Sequence, residues 1–425
     1  MSEAAPIPDI ARAERAASLL TTEMDEAGIG PASSVLAVML CGACALADLY
    51  ATQPLLPLFV HIFHASKSAV GLTVSASTLG VALSAPIVSA YAERLNRKRI
   101  IVASILALIV PTWLAATSSS LHALVFWRFL QGILMPGIFA TTIAYITEEW
   151  SAQTVAQVMA FYVSGTVLGG FLGRLIAGLV TERYNWQTAF LVLGAINLLS
   201  GLLVARWLPH GRPHAHFAAA HAPSASLPSP GQFSQMLRNL RSPRLLSTFA
   251  MGFNVLFSLV AIFTYVTFHL AAPPFGLSTA QLSLLFAVYL AGLAATPVAG
   301  LVLTRIDLRD GLIGAVLLSL LGVLLTLAPS LLWVIVGLGL FSSGVFISHA
   351  TAISYLRQAA PLGGRVSAAG LYAAFYYVGG TVAGILPGYL WRFGGWTTCV
   401  ALTVALQLIT ITIVLRGWKP TAASA

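Results

Sequence analysis

The chain has 425 residues, 58% of them apolar and only 8% charged, against the roughly 25% charged expected of a soluble domain. Its long apolar runs cannot be kept in water by so few charges, which excludes an ordinary soluble enzyme and points to a polytopic membrane protein. The net charge of +9 does not argue for nucleic acid, because the basic residues fall mostly in short connections between apolar runs.

Taken in chain order, the first thirty or so residues carry Glu3, Asp9, Glu14, Glu23, Asp25 and Glu26 with no basic start leading into a short apolar run, so no cleavable signal peptide is expected. Residues 1–34 read as a disordered cytoplasmic tail in preference to a surface helix over Pro8 to Leu20. About 20 apolar residues cross the ~30 Å hydrocarbon core as a helix. Six runs of that kind begin near 35, 69, 100, 121, 155 and 187, and six more near 245, 279, 311, 331, 366 and 396. We number them segments 1 to 12. They predict an all-α membrane protein of twelve transmembrane helices, with a bundle over 35–208, a second over 244–418 and a short tail, 419–425. Between the bundles, 209–243 is rich in Pro, Ser, Ala, His and Arg, a composition too irregular to pack, and reads as a cytoplasmic linker. Its histidines, His210, His214, His216 and His221, are loosely spaced with no Cys or carboxylate among them, so a solvated tract is favoured over a metal site. Cys41, Cys44 and Cys399 lie in apolar runs and read as small buried hydrophobes.

Orientation follows from Lys and Arg. With the N-terminus inside, the cytoplasmic face receives Arg94, Arg97, Lys98, Arg99, Arg212, Arg238, Arg241, Arg244, Arg305, Arg309, Arg357, Arg365, Arg416 and Lys419, and the opposite face only Lys67, Arg183 and Arg392. Both termini are then cytoplasmic. The halves also echo each other at an offset of about 210 residues. APIVSAYAER from Ala85 matches TPVAGLVLTR from Thr296, GTVLGGFLG from Gly165 matches GTVAGILPG from Gly380, and Trp186 matches Trp396. Parallel six-helix repeats describe one transporter architecture, with substrate handled between the halves near the bilayer midplane.

Asp48 is the single carboxylate inside any of the twelve segments. An acid at the centre of a spanning helix costs roughly 2.5–3.5 kcal/mol on insertion scales. The simplest relief is to hold a proton, which makes Asp48 a candidate for proton uptake and release.

Several stretches resemble the major facilitator superfamily. SAYAERLNRKR, Ser89 to Arg99, is similar to the family's loop between helices 2 and 3, G-x-x-x-D-R-x-G-R-R/K, with Glu93 in the acidic position, Arg94, Arg97 and Lys98 in agreement, and Ser89 and Asn96 in place of glycines. That resemblance implies a conformational latch, or gate, at Glu93, Arg94, Arg97 and Lys98. RFLQG, Arg128 to Gly132, resembles the R-x-x-Q-G motif of helix 4, whose arginine the family uses in proton coupling. GTVLGGFLGR, Gly165 to Arg174, resembles the antiporter motif of helix 5, with Gly170 where the family has proline and Arg174 where it has glycine. ADLYATQPLLP, His349 and the Tyr376–Tyr377 pair look like a bacterial inner-membrane branch often labelled multidrug or sugar efflux.

Asp48 near Arg128 is read as a proton-coupling pair in preference to a permanent structural one. For Arg174 the coupling and structural readings stand equal. Gly165, Gly169, Gly170 and Gly173 are assigned to helix packing, with Gly165, Gly169, Gly173 and Ala177 forming a smooth stripe. Tyr50, Gln53, Gln131, Asn254 and His349 are polar groups in apolar runs and, because the family's helices 1, 4, 7 and 10 face its cavity, are expected to line it. Tyr372 and Tyr376, with Tyr377 beside them, are added as stacking surfaces for an aromatic or cationic ligand, a reading that stands equal with ordinary packing. The expectation is therefore a monomeric, proton-coupled exporter of a small organic molecule in a bacterial inner membrane. The proton gradient supplies the energy, no cofactor or metal is needed, and the partners are substrate, protons and lipid, not nucleic acid. No G-x-x-x-x-G-K-[ST] or H-E-x-x-H motif speaks for an ATPase or an intramembrane enzyme. A symporter or facilitator importing a sugar or organic acid is the alternative, and a non-transporting receptor fits two repeats around a central acid poorly.

Overall fold

The computed structural model describes residues 32–92, 96–151, 153–209, 230–292, 294, 306–361 and 364–418. Among them the chain is helical. The first half holds α1 (Ala32–Leu49), α2 (Leu56–Ile62), α3 (Lys67–Ala92), α4 (Arg97–Ala116), α5 (Leu121–Leu134), α6 (Pro136–Glu149), α7 (Val155–Arg183) and α8 (Trp186–Trp207). The second holds α9 (Pro230–Arg241), α10 (Pro243–Ala271), α11 (Thr279–Leu285), α12 (Leu308–Leu325), α13 (Leu331–Ala359), α14 (Arg365–Ala383) and α15 (Leu386–Gly417). Ten helices of the described residues are long and apolar enough to cross a membrane, and Thr279–Gly292 is a shorter apolar one. Glu93, Arg94, the 296–305 half of the first repeat, the four linker histidines and both tails lie outside the described residues, apart from Ala32–Ser34.

The helix starts agree closely with the apolar runs, and local chemistry explains them. Asn96, Ser120 and Asn185 are N-caps whose side chains accept from the backbone N–H of Arg99, Ala123 and Thr188. Asn96, the residue that replaces a glycine of the latch motif, thus starts α4. Three elements depart from expectation. Segment 1 is one span, Ala32–Ile62, but it breaks after Leu49 into a 3-10 turn over Gln53–Leu55. Pro54 and Pro57 cannot donate to the carbonyls of Tyr50 and Gln53, so the α pattern cannot continue through them. Segment 11 is interrupted after Ala383, resumes from Leu386 to Phe393 and turns at Gly394 and Gly395, the latter at φ 59°, a conformation that favours glycine, so that segment 12 begins at Trp396 as expected. The end of the linker is not irregular: α9 packs on the second half, with Asn239 buried and its Nδ2 donating to Gly364 O and Ser367 Oγ, both at 3.2 Å.

Large apolar side chains remain exposed around the bundle, among them Leu83, Ile87, Val110, Leu199, Leu202 and Leu317. Such a belt is unstable in water and stable against acyl chains. The chain is a multi-pass membrane protein.

Alternation of the spans puts Arg97, Arg206, Arg244, Arg309, Arg357, Arg365 and Arg416 at the end of the bundle where the chain enters α1, here the entry end. Lys67, Arg183 and Arg392 lie at the far end, with exposed Tyr184, Trp333, Tyr389 and Phe393 beside them, the aromatic girdle expected where helices meet an interface. The repeat reappears as packing. Gly165, Gly169 and Gly173 of α7 lie against the backbone of Met39, Ala43 and Ala47 of α1, and Gly379 of α14 lies against Phe253 of α10 in the same way.

Candidate functional site: an interhelical cavity and a buried acid

The two halves meet at the far end. Ser75 Oγ donates to Thr381 O at 2.7 Å, and the N–H of Ala280 to Glu182 Oε2 at 3.1 Å. Gly71 on Gly384, Gly388 on Ser68 and Gly178 on Ser283 approach so closely that no β-carbon fits between them. Behind this closure lies a cavity of about 650 Å³, within the range typical of small-molecule sites. Gln53 at its head is fully buried, whereas Ala156 and Ala160, lining it in the first turns of α7, are exposed. The cavity therefore opens toward the entry end.

Arg174 forms the head of the cavity. Its Nε donates to Gln53 Oε1 at 2.7 Å and its Nη1 to Gly170 O at 2.5 Å. The guanidinium carbon lies 4.7 Å from the ring centres of Tyr50 and Phe286 and 5.0 Å from that of Tyr289, a cation over aromatic faces. Gln53 Nε2 in turn donates to Thr264 Oγ1 at 3.0 Å, so Arg174, Gln53 and Thr264 form one chain across the two halves. On the facing wall His349 Nδ1 is hydrogen-bonded to Tyr372 OH at 2.9 Å, and its ring lies 5.0 Å from that of Tyr376.

Asp48 and Arg128 sit elsewhere, inside the first half. Asp48 is fully buried and does not line the cavity. Its Oδ2 accepts from Asn197 Nδ2 of α8, while Oδ1 has no hydrogen-bond partner among the described residues. The neighbouring Thr112 hydroxyl interacts with the carboxylate but commits its proton to Leu108 O at 2.8 Å. Arg128 is also fully buried and spends its donors on backbone: Nε on Thr73 O at 3.0 Å, Nη1 on Asp48 O at 2.7 Å, and Nη2 on Leu49 O at 2.5 Å. Nη1 also donates to Gln131 Oε1 at 2.6 Å. The last carbonyls of a helix have no partner within it, and a cation at that end is favourable. Arg128 caps α1 at the break that Pro54 imposes. It acts on the Asp48 carboxylate electrostatically, without an ion-pair contact.

Five expected placements change. Arg174 stands apart from Asp48, because the two leave α7 and α1 toward different neighbours. Gln131 is not on the cavity wall; it is held between Arg128 and Thr112, to whose Oγ1 it donates at 2.8 Å. Asn254 turns into the second half, accepting from Ser258 Oγ at 3.1 Å in a separate small void with Gln407. Tyr372 stands behind His349, outside the lining. Gly170 faces the cavity, not the α1 contact of Gly165, Gly169 and Gly173. Tyr50, Gln53, His349, Tyr376 and Tyr377 do line the cavity. Of the latch residues, Arg97 makes a two-pronged ion pair with Glu148 at the end of α6, 2.7 and 3.2 Å, and Lys98 is buried. Asn197, the partner of Asp48, was visible as an amide in the middle of the apolar run of segment 6. Tyr289 and Phe286 carried no signal beyond ordinary aromatic residues.

A cavity between two helical halves, closed at one end and walled mainly by apolar groups with a few convergent polar ones, defines a solute transporter and not an enzyme. The sequence pattern of the Major Facilitator Superfamily matches residues 38–278, and the chain belongs to that superfamily. It is 31% identical over 386 residues to an uncharacterized transporter of Buchnera aphidicola subsp. Schizaphis graminum, covering 90% of each chain. It is also 31% identical over 379 residues to the inner membrane transport protein YnfM of Escherichia coli K12, covering 88% of this chain and 87% of that one. Among solved structures it is similar to a bacterial homolog of the human lysosomal transporter Spinster in an inward-facing, occupied conformation. There the TM-score is 0.70 and the identity 16%, over 91% of this chain and 98% of that one, a likeness of fold.

Proposed function

We propose that this protein is a proton-coupled exporter of a small organic molecule, working by alternating access in a bacterial inner membrane, with twelve spans and both termini in the cytoplasm. Thr279–Gly292 opens one of the two remaining spans, and 365–393 forms the other. The basic entry end supports a cytoplasmic assignment for that face, and the inner-membrane relative of Escherichia coli supports the location. In this orientation the cavity opens to the cytoplasm, the state in which an exporter loads.

The observation that carries the coupling is Asp48, a carboxylate buried inside the first half with one oxygen unpartnered and no ion-pair contact. A charge so placed is poorly compensated, and a proton removes the deficit. Proton binding at Asp48 and solute binding in the cavity would then favour different arrangements of the two halves. In inverted vesicles energised with an inside-acid pH gradient, a panel of organic anions, cations and neutral solutes is added while the gradient is followed with an acridine dye. At least one solute is expected to dissipate the gradient with the wild-type protein and not with Asp48→Asn. Equal responses would remove Asp48 from the mechanism.

A further inference from the structure

We propose that the cavity takes an organic anion, with the acid group of the substrate on Arg174 and its apolar body against the aromatic wall of Tyr289, Phe346 and Tyr376. This rests on reading the cavity as the substrate site. Among the described residues Arg174 is the one formal charge lining it, and no carboxylate does so. The side chain is only 3% exposed. Of its five N–H groups, Nε and Nη1 each make one hydrogen bond, and Nη2 makes none to the described residues. The rings of Tyr50, Phe286 and Tyr289 stabilise the cation but accept no conventional hydrogen bond along its edge. A planar fork of free donors matches a carboxylate.

The surroundings strengthen the same choice. Coulomb interactions grow as water is excluded, so an uncompensated guanidinium at the closed head of an apolar chamber attracts an anion and repels an organic cation. The buried acid of this half, Asp48, bonds to Asn197 away from the cavity and makes no contact with Arg174. A purely structural Arg174, balanced by rings and amide alone, has no reason to distinguish an acid from its amide.

That difference is the test. The purified full-length protein in nanodiscs is titrated calorimetrically with benzoate, 2-naphthoate and cyclohexanecarboxylate, and with the matching amides and aminomethyl compounds. At least one acid is expected to bind about tenfold or more tighter than its amide and its amine, the ratio that ~1.4 kcal/mol produces. Arg174→Gln is expected to erase the preference, and Arg174→Lys, which keeps the charge and loses the fork, to keep part of it. No acid outbinding its amide in the wild type, an amine binding best, or a preference that survives Arg174→Gln would each overturn the proposal. The wild-type comparison stands even if the variants fail to fold. Because no pH gradient is present, the result is separate from proton coupling: a solute-driven response lost in Asp48→Asn, together with absent acid preference, would reject this inference alone.

Discussion

Replacing Gly169 by Ala tests the contact between the small-residue stripe of α7 and α1, the helix that carries the central acid. A β-carbon on Gly169 would sit 2.3 Å from both Cα and O of Ala43, where ordinary contacts are 3.4–4 Å. Neither atom belongs to a flexible side chain, so α7 and α1 must part by on the order of 1 Å, an overpacking that typically costs about 1–3 kcal/mol. The adjacent Gly170 is the control. Its β-carbon would meet only Arg174 Nη1 at 3.4 Å and Leu46 Cβ at 3.8 Å. Both replacements gain the same helix propensity, ~0.8–1 kcal/mol, so the difference between them isolates the contact with α1. The native thiols supply the assay: Cys41 and Cys44 on α1 and Cys399 on α15 are buried and react with a thiol-sensitive dye only as the bundle opens. On heating in detergent, Gly169→Ala is expected to expose thiol well below the wild type, and Gly170→Ala at or above it. Coincident melting of the two variants would refute the close approach of α1 and α7.

Two further outcomes follow from the same geometry. In Gly71→Ala the new β-carbon would lie 2.0 Å from Gly384 O, so the far-end closure should loosen and a Ser68→Cys probe there should react several-fold faster with an impermeant reagent; unchanged labelling would mean that this contact does not hold the halves. Arg128→Lys replaces a fork serving four acceptors by one ammonium that cannot reach them all, and hydrogen bonds to charged groups contribute roughly 1.5–3 kcal/mol each. Thiol exposure should therefore occur at a clearly lower temperature than in the wild type, and an unaltered melting curve would show that α1 does not depend on this cap.

Helix positions were legible because twenty-residue apolar runs and their polar caps are local properties: Ser120 and Asn185 announce the helices they start. The glycine stripe on α7 was legible for the same reason, since a four-residue spacing puts small residues on one face whatever lies opposite. What lay opposite was not legible. The α1 contact partners, Met39, Ala43 and Ala47, are unremarkable in sequence, and direction around a helix decided the rest. Asp48 and Tyr50 are two residues apart, yet a turn of about 200° between them sends one into the first half and the other to the cavity. Gln131 and Asn254 were polar residues in the right segments on the wrong sides of them. Arg174 was noticed only as a departure from a glycine motif, and its aromatic surroundings come from segments 1 and 8, which no local pattern could bring together.

The geometry also changes how coupling has to work if Asp48 is its proton site. A proton and a substrate anion cannot compete for one arginine here, because Arg128 faces the first and Arg174 the second. What they share is the break in segment 1. Asp48 ends α1 on the side of Asn197, and Tyr50 and Gln53 leave the same turn toward Arg174, with Gln53 reaching on to Thr264 in the other half. Arg128 holds that turn by the carbonyls of Asp48 and Leu49. A change in the charge of Asp48 alters its attraction to Arg128 and its bond to Asn197, and both bear on the position of the turn. The proposed coupling then runs through a backbone displacement of one irregular turn, which would shift Gln53 against Thr264 and Arg174 together. A broken helix is suited to this, since its 3-10 hydrogen bonds, Ala51 to Asp48 at 3.3 Å and Gln53 to Tyr50 at 3.0 Å, rearrange at less cost than the regular ladder of an unbroken span.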